Sequence, residues 1–167
     1  MDHLTIATRL AAAAEVIRSL VEDISAEEAR WKPAPKKWSI LEVVSHLADE
    51  ERDDFRKRLD LTLHHPGEEW PPIDPEGWVV DRRYDERDFG AALEGFLDER
   101  RRSVAWLRAL EAPAWTNAYE NRRFTLSAGD LLHSWLAHDL QHIRQLVRLR
   151  YERLKNDAEP FSVDYAG

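Results

Sequence analysis

Leu131-Leu132-His133-Ser134-Trp135-Leu136-Ala137-His138-Asp139-Leu140-Gln141-His142 is the run of residues from which the fold can be read. Continued to Leu149 at about 100° per residue of a helix, it sets Leu131, Trp135, His138, His142, Gln145 and Leu149 on one narrow stripe. Two imidazoles thus stand in a row that otherwise belongs to a core. Histidines four apart lie one turn above each other and lean the same way, the spacing with which two of them grip one metal ion. The pair alone is equally the mark of two half-buried polar residues bonded to their neighbours. A third histidine, on a different predicted helix, gives it weight.

The same helix is apolar over more than half of its circumference, because Leu132, Leu136, Ile143 and Val147 form a face beside the stripe. A helix wetted on one side only is central or is a subunit contact, so a homodimer is expected. His133 points nearly opposite to His138 and His142 and is left out of the site. Upstream, Ser127-Ala128-Gly129-Asp130 reads as a helix cap, and Trp115 to Thr125 as a loop with a short hairpin around Glu120-Asn121-Arg122. Beyond about Lys155 the tail reads as irregular and on the surface.

Further back, Phe89, Leu93, Phe96, Leu97, Val104 and Leu107 share one arc of a third helix, from about Asp85 or Glu86 to Leu110. Arg100 falls inside that arc. A guanidinium at a core position needs a carboxylate or several acceptors, with Glu50 as one candidate, or a stem that snorkels to the bundle edge. Between about 61 and 85, a run holding Pro66, Gly67, Pro71, Pro72, Pro75 and Gly77 leaves no helical period. A connection that long can carry the chain back along a bundle, so that the second and third helices run parallel, and can wall or cover a site. Trp70 and Trp78 argue that it is packed down. The neighbours His64 and His65 diverge in a loop, which makes them exposed histidines rather than a ligand pair.

The second helix opens at Ser39-Ile40-Leu41-Glu42, a capping box, and runs to about Leu59 or Leu61. With His46 as angular origin, Val43, Leu47, Ile40, Val44, Phe55 and Ala48 fill an arc from roughly 60° to 200°, with Glu50 at about 40°. His46 and Glu50 therefore belong at the mouth of a core, in contact with water. The segment from Ser25 to Lys37, broken by Pro33 and Pro35, reads as a linker anchored by Trp31 and Trp38. A first amphipathic helix spans about 3 to 23, following Leu4, Ala7, Leu10, Ala14, Ile17 and Val21.

These four helices fit one domain over residues 1 to 167. An apolar content of 43% with seven Trp opposes disorder, while 34% charged residues and a mean hydropathy of -0.60 mark a soluble chain. No window is apolar enough for a bilayer span, and Met1-Asp2-His3 lacks the basic start of an export signal, so a cytoplasmic protein with no membrane partner is expected. A net charge of -8 opposes nucleic acid, and Arg100-Arg101-Arg102 is balanced by Asp98 and Glu99. With no cysteine, any metal must be held by His, Asp or Glu.

If the second and fourth helices pack antiparallel, His46, His138 and His142 converge on one ion. Three neutral nitrogens suit Zn²⁺ or Ni²⁺ and leave a position open for water or substrate. Such an ion makes a nucleophile from water or a thiol near neutral pH. Glu50, one turn after His46, is the candidate general base or orienter, and Arg100 the second candidate catalytic residue. Asp139, about 100° from His138, is less well placed for the metal and free to cap a neighbouring side chain.

Trp38-Ser39-Ile40 leading to His46-Leu47-Ala48-Asp49-Glu50-Glu51, a Pro-rich crossover with Trp78, a helix bearing Phe96 and Arg100, and Thr125-Leu126 leading to His138, Asp139, His142 and Gln145 together resemble the DinB-like superfamily. The resemblance covers nearly the whole chain and shows no departure at the three ligand positions. It implies an all-α four-helix bundle in up-down-down-up order, with the long link between helices two and three, and a divalent metal on His46, His138 and His142. It also implies kinship with thiol S-transferases using low-molecular-weight thiols such as bacillithiol, with mycothiol-dependent maleylpyruvate isomerases, and with metal-dependent hydrolases. Three functions follow as expectations: thiol transfer onto a small electrophilic substrate, hydrolysis with Glu50 moving the proton, or a non-catalytic metal-binding or dimeric interaction module. A thiol cosubstrate carrying carboxylates would want a local cation, from Arg100 or the Arg122-Arg123 pair.

Overall fold

Every long helix begins where a short polar side chain offers an oxygen to the backbone amide three residues on. Asp2 accepts from Thr5, Ser39 from Glu42, Asp88 from Ala91 and Ser127 from Asp130, each worth about 1 kcal/mol. In the computed structural model, which describes residues 1–166, the chain runs through α1 (His3–Val21), a short α2 (Ala26–Arg30), α3 (Ile40–Asp49), a π-helical turn (Glu50–Phe55) and α4 (Arg56–His64). There follow α5 (Trp78–Asp81), α6 (Phe89–Ala109), the hairpin β1 (Ala118–Glu120) and β2 (Thr125–Ser127), and α7 (Ala128–Asp157). The protein is an all-α four-helix bundle in which α1, the continuous α3–α4, α6 and α7 are the four members.

Contacts between helices fix their relative sense. Asp49 reaches Arg87, and seven residues later Arg56 reaches Glu99 and Ser103, so α3–α4 and α6 advance together. Against α7 the order reverses, with His46 meeting His142 and Phe55 stacking on Trp135. The link that this arrangement requires, residues 65 to 88, is held down by Asp49. Its carboxylate accepts from the Tyr84 hydroxyl at 2.7 Å and pairs with Arg82 at 2.9 Å and Arg87 at 3.2 Å.

That packing changes the environment expected for His46 and Glu50. All ten residues of α3 are buried: the crossover covers Asp49, Lys32 reaches Glu42, and Trp38 with the α7 histidines packs on His46. His46 and Glu50 are each only 4% exposed, not at a wetted mouth. Other boundaries shift for local reasons. The segment read as a linker contains α2, opened by its own capping box of Ser25 and Glu28. The second helix continues to His64, and the third starts at Phe89, because Asp88 rather than Asp85 caps it. The crossover is not devoid of helix, holding α5 and a 3₁₀ turn at Tyr84–Glu86. The hairpin forms as expected, its turn closed by the Asn121 side chain accepting from the amides of Arg123 and Phe124.

The apolar core comes in two parts. One gathers Ile17, Val21, Leu41, Leu47, Phe96 and Leu146; the other gathers Leu10, Phe55, Leu59, Leu107, Leu131 and Trp135. Between them lies a belt of buried polar groups, including Glu50, Glu51, Arg100, Ser103 and Asp139. The π-helical turn sits at the level of this belt, and wide turns of that kind are frequent at functional sites. No helix among the described residues is long and apolar enough to cross a membrane.

Candidate metal centre

The belt carries the three histidines on its flank. The i, i+4 spacing on α7 stacks His138 over His142, and α3 brings His46 against both. Nε2 of His138 lies 3.3 Å from Nε2 of His46 and 3.1 Å from Nε2 of His142. All three ligand nitrogens fall within 4.8 Å of one another, and among the described residues no carboxylate joins this group. Three nitrogens pointed at one place are not explained by hydrogen bonds between imidazoles. They fit a cation, because bonds of about 2.0–2.1 Å in tetrahedral geometry put ligand nitrogens about 3.3 Å apart.

The surroundings hold the rings in the state a metal needs. Burial first, then the neighbouring imidazole of His142, lower His46 to about 3. Burial and the other two histidines, with Arg100 adding to them, lower His138 to about 2. Burial also lowers His142, against the pull of Gln145 and Asp139. All three are neutral at physiological pH, with lone pairs free. Nδ1 of His142 donates to Oε1 of Gln145 at 2.8 Å, which leaves the lone pair on Nε2, facing the other rings. Trp38 packs on His46 at 4.9 Å between centroids and Phe55 on His138 at 5.0 Å, walling the centre on two sides.

Glu50 and Arg100 occupy different surroundings. Oε1 of Glu50 is buried without a hydrogen-bond partner, as is Nδ1 of His46. Burial, then the nearby Asp54 carboxylate, push the Glu50 carboxyl well above the usual carboxylate range. Arg58 lies 3.0 Å from Asp54, one turn further along. Arg100 is buried and committed: Nη1 and Nη2 clasp Asp139 at 2.5 and 2.8 Å, Nη2 lies 2.6 Å from Glu51, and Nη1 donates to the Leu10 carbonyl at 2.8 Å. Its carboxylate partners are thus Glu51 and Asp139, not Glu50. Trp135 Nε1 donates to the same Glu51 oxygen at 2.7 Å. Glu51 was legible: from His46 as origin it falls at about 140°, inside the apolar arc. A glutamate and an arginine at core positions of two helices invite pairing.

The remaining histidines stay apart. His64 pairs with Asp60 and His65 with Glu68, both exposed, and His133 bonds the Gly129 carbonyl on the outer side of α7. Arg122 and Arg123 lie in the exposed hairpin turn.

A four-helix bundle with a three-histidine centre between its second and last helices defines a class of helical metal-binding proteins. Within it the chain belongs to the DinB superfamily, whose family model matches residues 9–146. Among solved structures it is similar to YfiT from Bacillus subtilis, described as a probable metal-dependent hydrolase with an unusual four-helix bundle topology. The two superpose with a TM-score of 0.78 at 18% identity, over 89% of this chain and 86% of that one, a likeness that speaks for the fold alone. No curated protein matches the chain.

Proposed function

We propose that the protein is a divalent-metal-dependent enzyme that transfers a small thiol onto an electrophilic substrate, with Zn²⁺ or Ni²⁺ on His46, His138 and His142. The observation that carries this reading is the all-nitrogen tripod: three neutral imidazoles converge within 4.8 Å with no carboxylate among them. Three protein ligands leave a coordination position for a substrate or cosubstrate, as in catalytic rather than structural sites. A divalent ion bound there supplies the Lewis acidity that brings a thiol or water proton off near neutral pH. The chain's own contribution is to keep the three rings neutral and aimed. Gln145 fixes the His142 tautomer, while Trp38 and Phe55 exclude water from the sides.

Hydrolysis is the second reading, favoured by Glu50. A buried carboxyl with an unpartnered oxygen and a raised pKa is suited to exchanging a proton near neutral pH. Arg100, with both terminal nitrogens engaged, acts under either reading by positioning: it clamps Asp139, the residue next to His138. We also propose a homodimer, since Leu140, Val147 and Leu154 lie exposed along one side of α7; sedimentation velocity should show two chains, and Val147→Glu one.

Metal content of untagged protein tests the first reading. Wild type should carry about one Zn or Ni per chain, and His46→Ala and His142→Ala none. The loaded protein should conjugate N-acetylcysteine to 1-chloro-2,4-dinitrobenzene faster than it hydrolyses p-nitrophenyl acetate. Glu50→Gln should spare the first reaction and abolish the second. A wild type that neither carries nor takes up metal would refute both enzymatic readings.

A further inference from the structure

Beside the histidines, where the segment between α2 and α3 meets α7, lies a cavity of about 370 Å³. Lys37, Trp38, Gln145, Arg148, Leu149 and Glu152 contribute to its lining. Two of its walls belong to the metal centre, since Trp38 packs on His46 and Gln145 accepts from His142. With Oε1 of Gln145 committed to that bond, its amide N–H groups are left to donate to an occupant.

The rim is basic in an acidic protein. Arg148 makes its one ion pair among the described residues with Glu152, at a loose 3.9 Å, and Lys37 makes none. Lys32 and Arg150, on the same two segments of this chain of net charge -8, are consumed more closely, by Glu42 at 2.6 Å and by Asp23 at 2.5 Å. Opposite the cations, the Trp38 indole and Leu149 offer an apolar wall. The volume is that of a small-molecule site.

We propose that this cavity binds a small organic carboxylate. Lys37 and Arg148 take the carboxylate, Gln145 donates to a neighbouring oxygen, and the apolar stem lies against Trp38 and Leu149. The identity of the occupant rests on the function proposed above: a carboxylated thiol cosubstrate, or a carboxylate-bearing electrophile. The pocket thereby replaces Arg100 and the Arg122-Arg123 pair as the source of the cation that an anionic cosubstrate needs. Because Gln145 touches both the occupant and His142, the pocket and the metal centre share one residue.

Calorimetric titration of the zinc-loaded protein tests this. The probes are N-acetylcysteine, its S-methyl ether, which keeps the carboxylate and blocks the thiol, and N-acetylcysteamine, which keeps the thiol and lacks the carboxylate. Lys37→Ala/Arg148→Ala, two exposed changes, should weaken both carboxylates about tenfold and leave N-acetylcysteamine unchanged. Glu152→Gln should tighten both carboxylates. Equal binding of the thiol and its methyl ether assigns the pocket to an acidic substrate, and tighter thiol binding assigns it to the cosubstrate. Carboxylates that bind the double variant as tightly as wild type, or N-acetylcysteine that binds wild type no better than N-acetylcysteamine, would overturn the proposal. In metal-free His138→Ala the methyl ether should still bind, so the pocket and the metal chemistry can fail separately.

Discussion

Two polar clusters share the middle of this bundle, and they are built on opposite rules. Around Arg100, charges answer one another: a guanidinium, two carboxylates, an indole N–H and a backbone carbonyl, all at hydrogen-bonding distance. Around His138, three acceptors face each other, and Nδ1 of His46 is buried without a partner, as is Oε1 of Glu50 one turn further along the helix. The first cluster also leaves Glu51 Oε2 and Arg100 Nε without partners, but its opposite charges answer one another within the chain; the second sets three acceptors against each other with no cation or donor between them. The lesson is that burial alone does not mark a functional site in a helical bundle. Convergence of like acceptors on one point does.

The contrast can be broken most severely at Arg100. Arg100→Met leaves Glu51 and Asp139 buried without their cation and should cost about 3–5 kcal/mol in urea denaturation. The apolar triple variant Glu51→Leu/Arg100→Met/Asp139→Leu should recover most of that loss, showing that the cluster answers its own charges. At the histidine cluster the corresponding loss should appear in metal affinity. Gln145→Leu removes the acceptor that sets the His142 tautomer and should weaken zinc binding by about 10–100-fold, with Gln145→Glu restoring it and stability little changed.

Acid gives the gentlest test. Burial lowers all three folded histidines from the unfolded value of about 6.5, His46 to about 3 and His138 to about 2. Between those limits the unfolded histidines bind more protons, so their contribution to the stability of metal-free protein is complete above about pH 6.5 and is lost as the pH falls toward 3. Glu50, raised to about 8, contributes with the opposite sign between about 4.5 and 8. The histidine share of the slope, read as the difference from the triple glutamine variant, should be about 1–2 kcal/mol per pH unit by urea unfolding, discounted for the partial exposure of His138 and His142. His46→Gln/His138→Gln/His142→Gln should remove that share, and a slope unchanged by the three substitutions would place the proton sensitivity elsewhere.

Much of this was legible in the residues, for reasons that differ by element. The caps at Ser39 and Ser127 are local, and so were the helices behind them; the same signature at Ser25 and Glu28 was open to reading, hidden only by the prolines that follow. The histidine tripod could be read because i, i+4 spacing is a property of one helix and the third ligand lay at an apolar edge. What could not be read was the far side of α3, since its burial is supplied by Tyr84, Arg82 and Arg87 from a crossover without helical period. Nor could the cavity between residues 33–38 and α7, whose walls are 107 to 119 residues apart in sequence, although Lys37 and Arg148 were visible as charges.

The π-helical turn at Glu50–Phe55 bears on how this chain is compared with its relatives. Such a turn spends one more residue than an α-helical turn over the same span. A relative whose helix stays α throughout will align with this one only through a single-residue gap inside that window. The gap would fall between two parts of one site, with His46 on one side and Phe55, the platform beneath His138, on the other. An ungapped comparison would keep the ligand in register and shift every later residue of the helix by about 100°. The positions of Glu50, Asp54 and Arg58 would then be assigned to the wrong counterparts. In this stretch, equivalence is better judged by position in space than by counting along the chain.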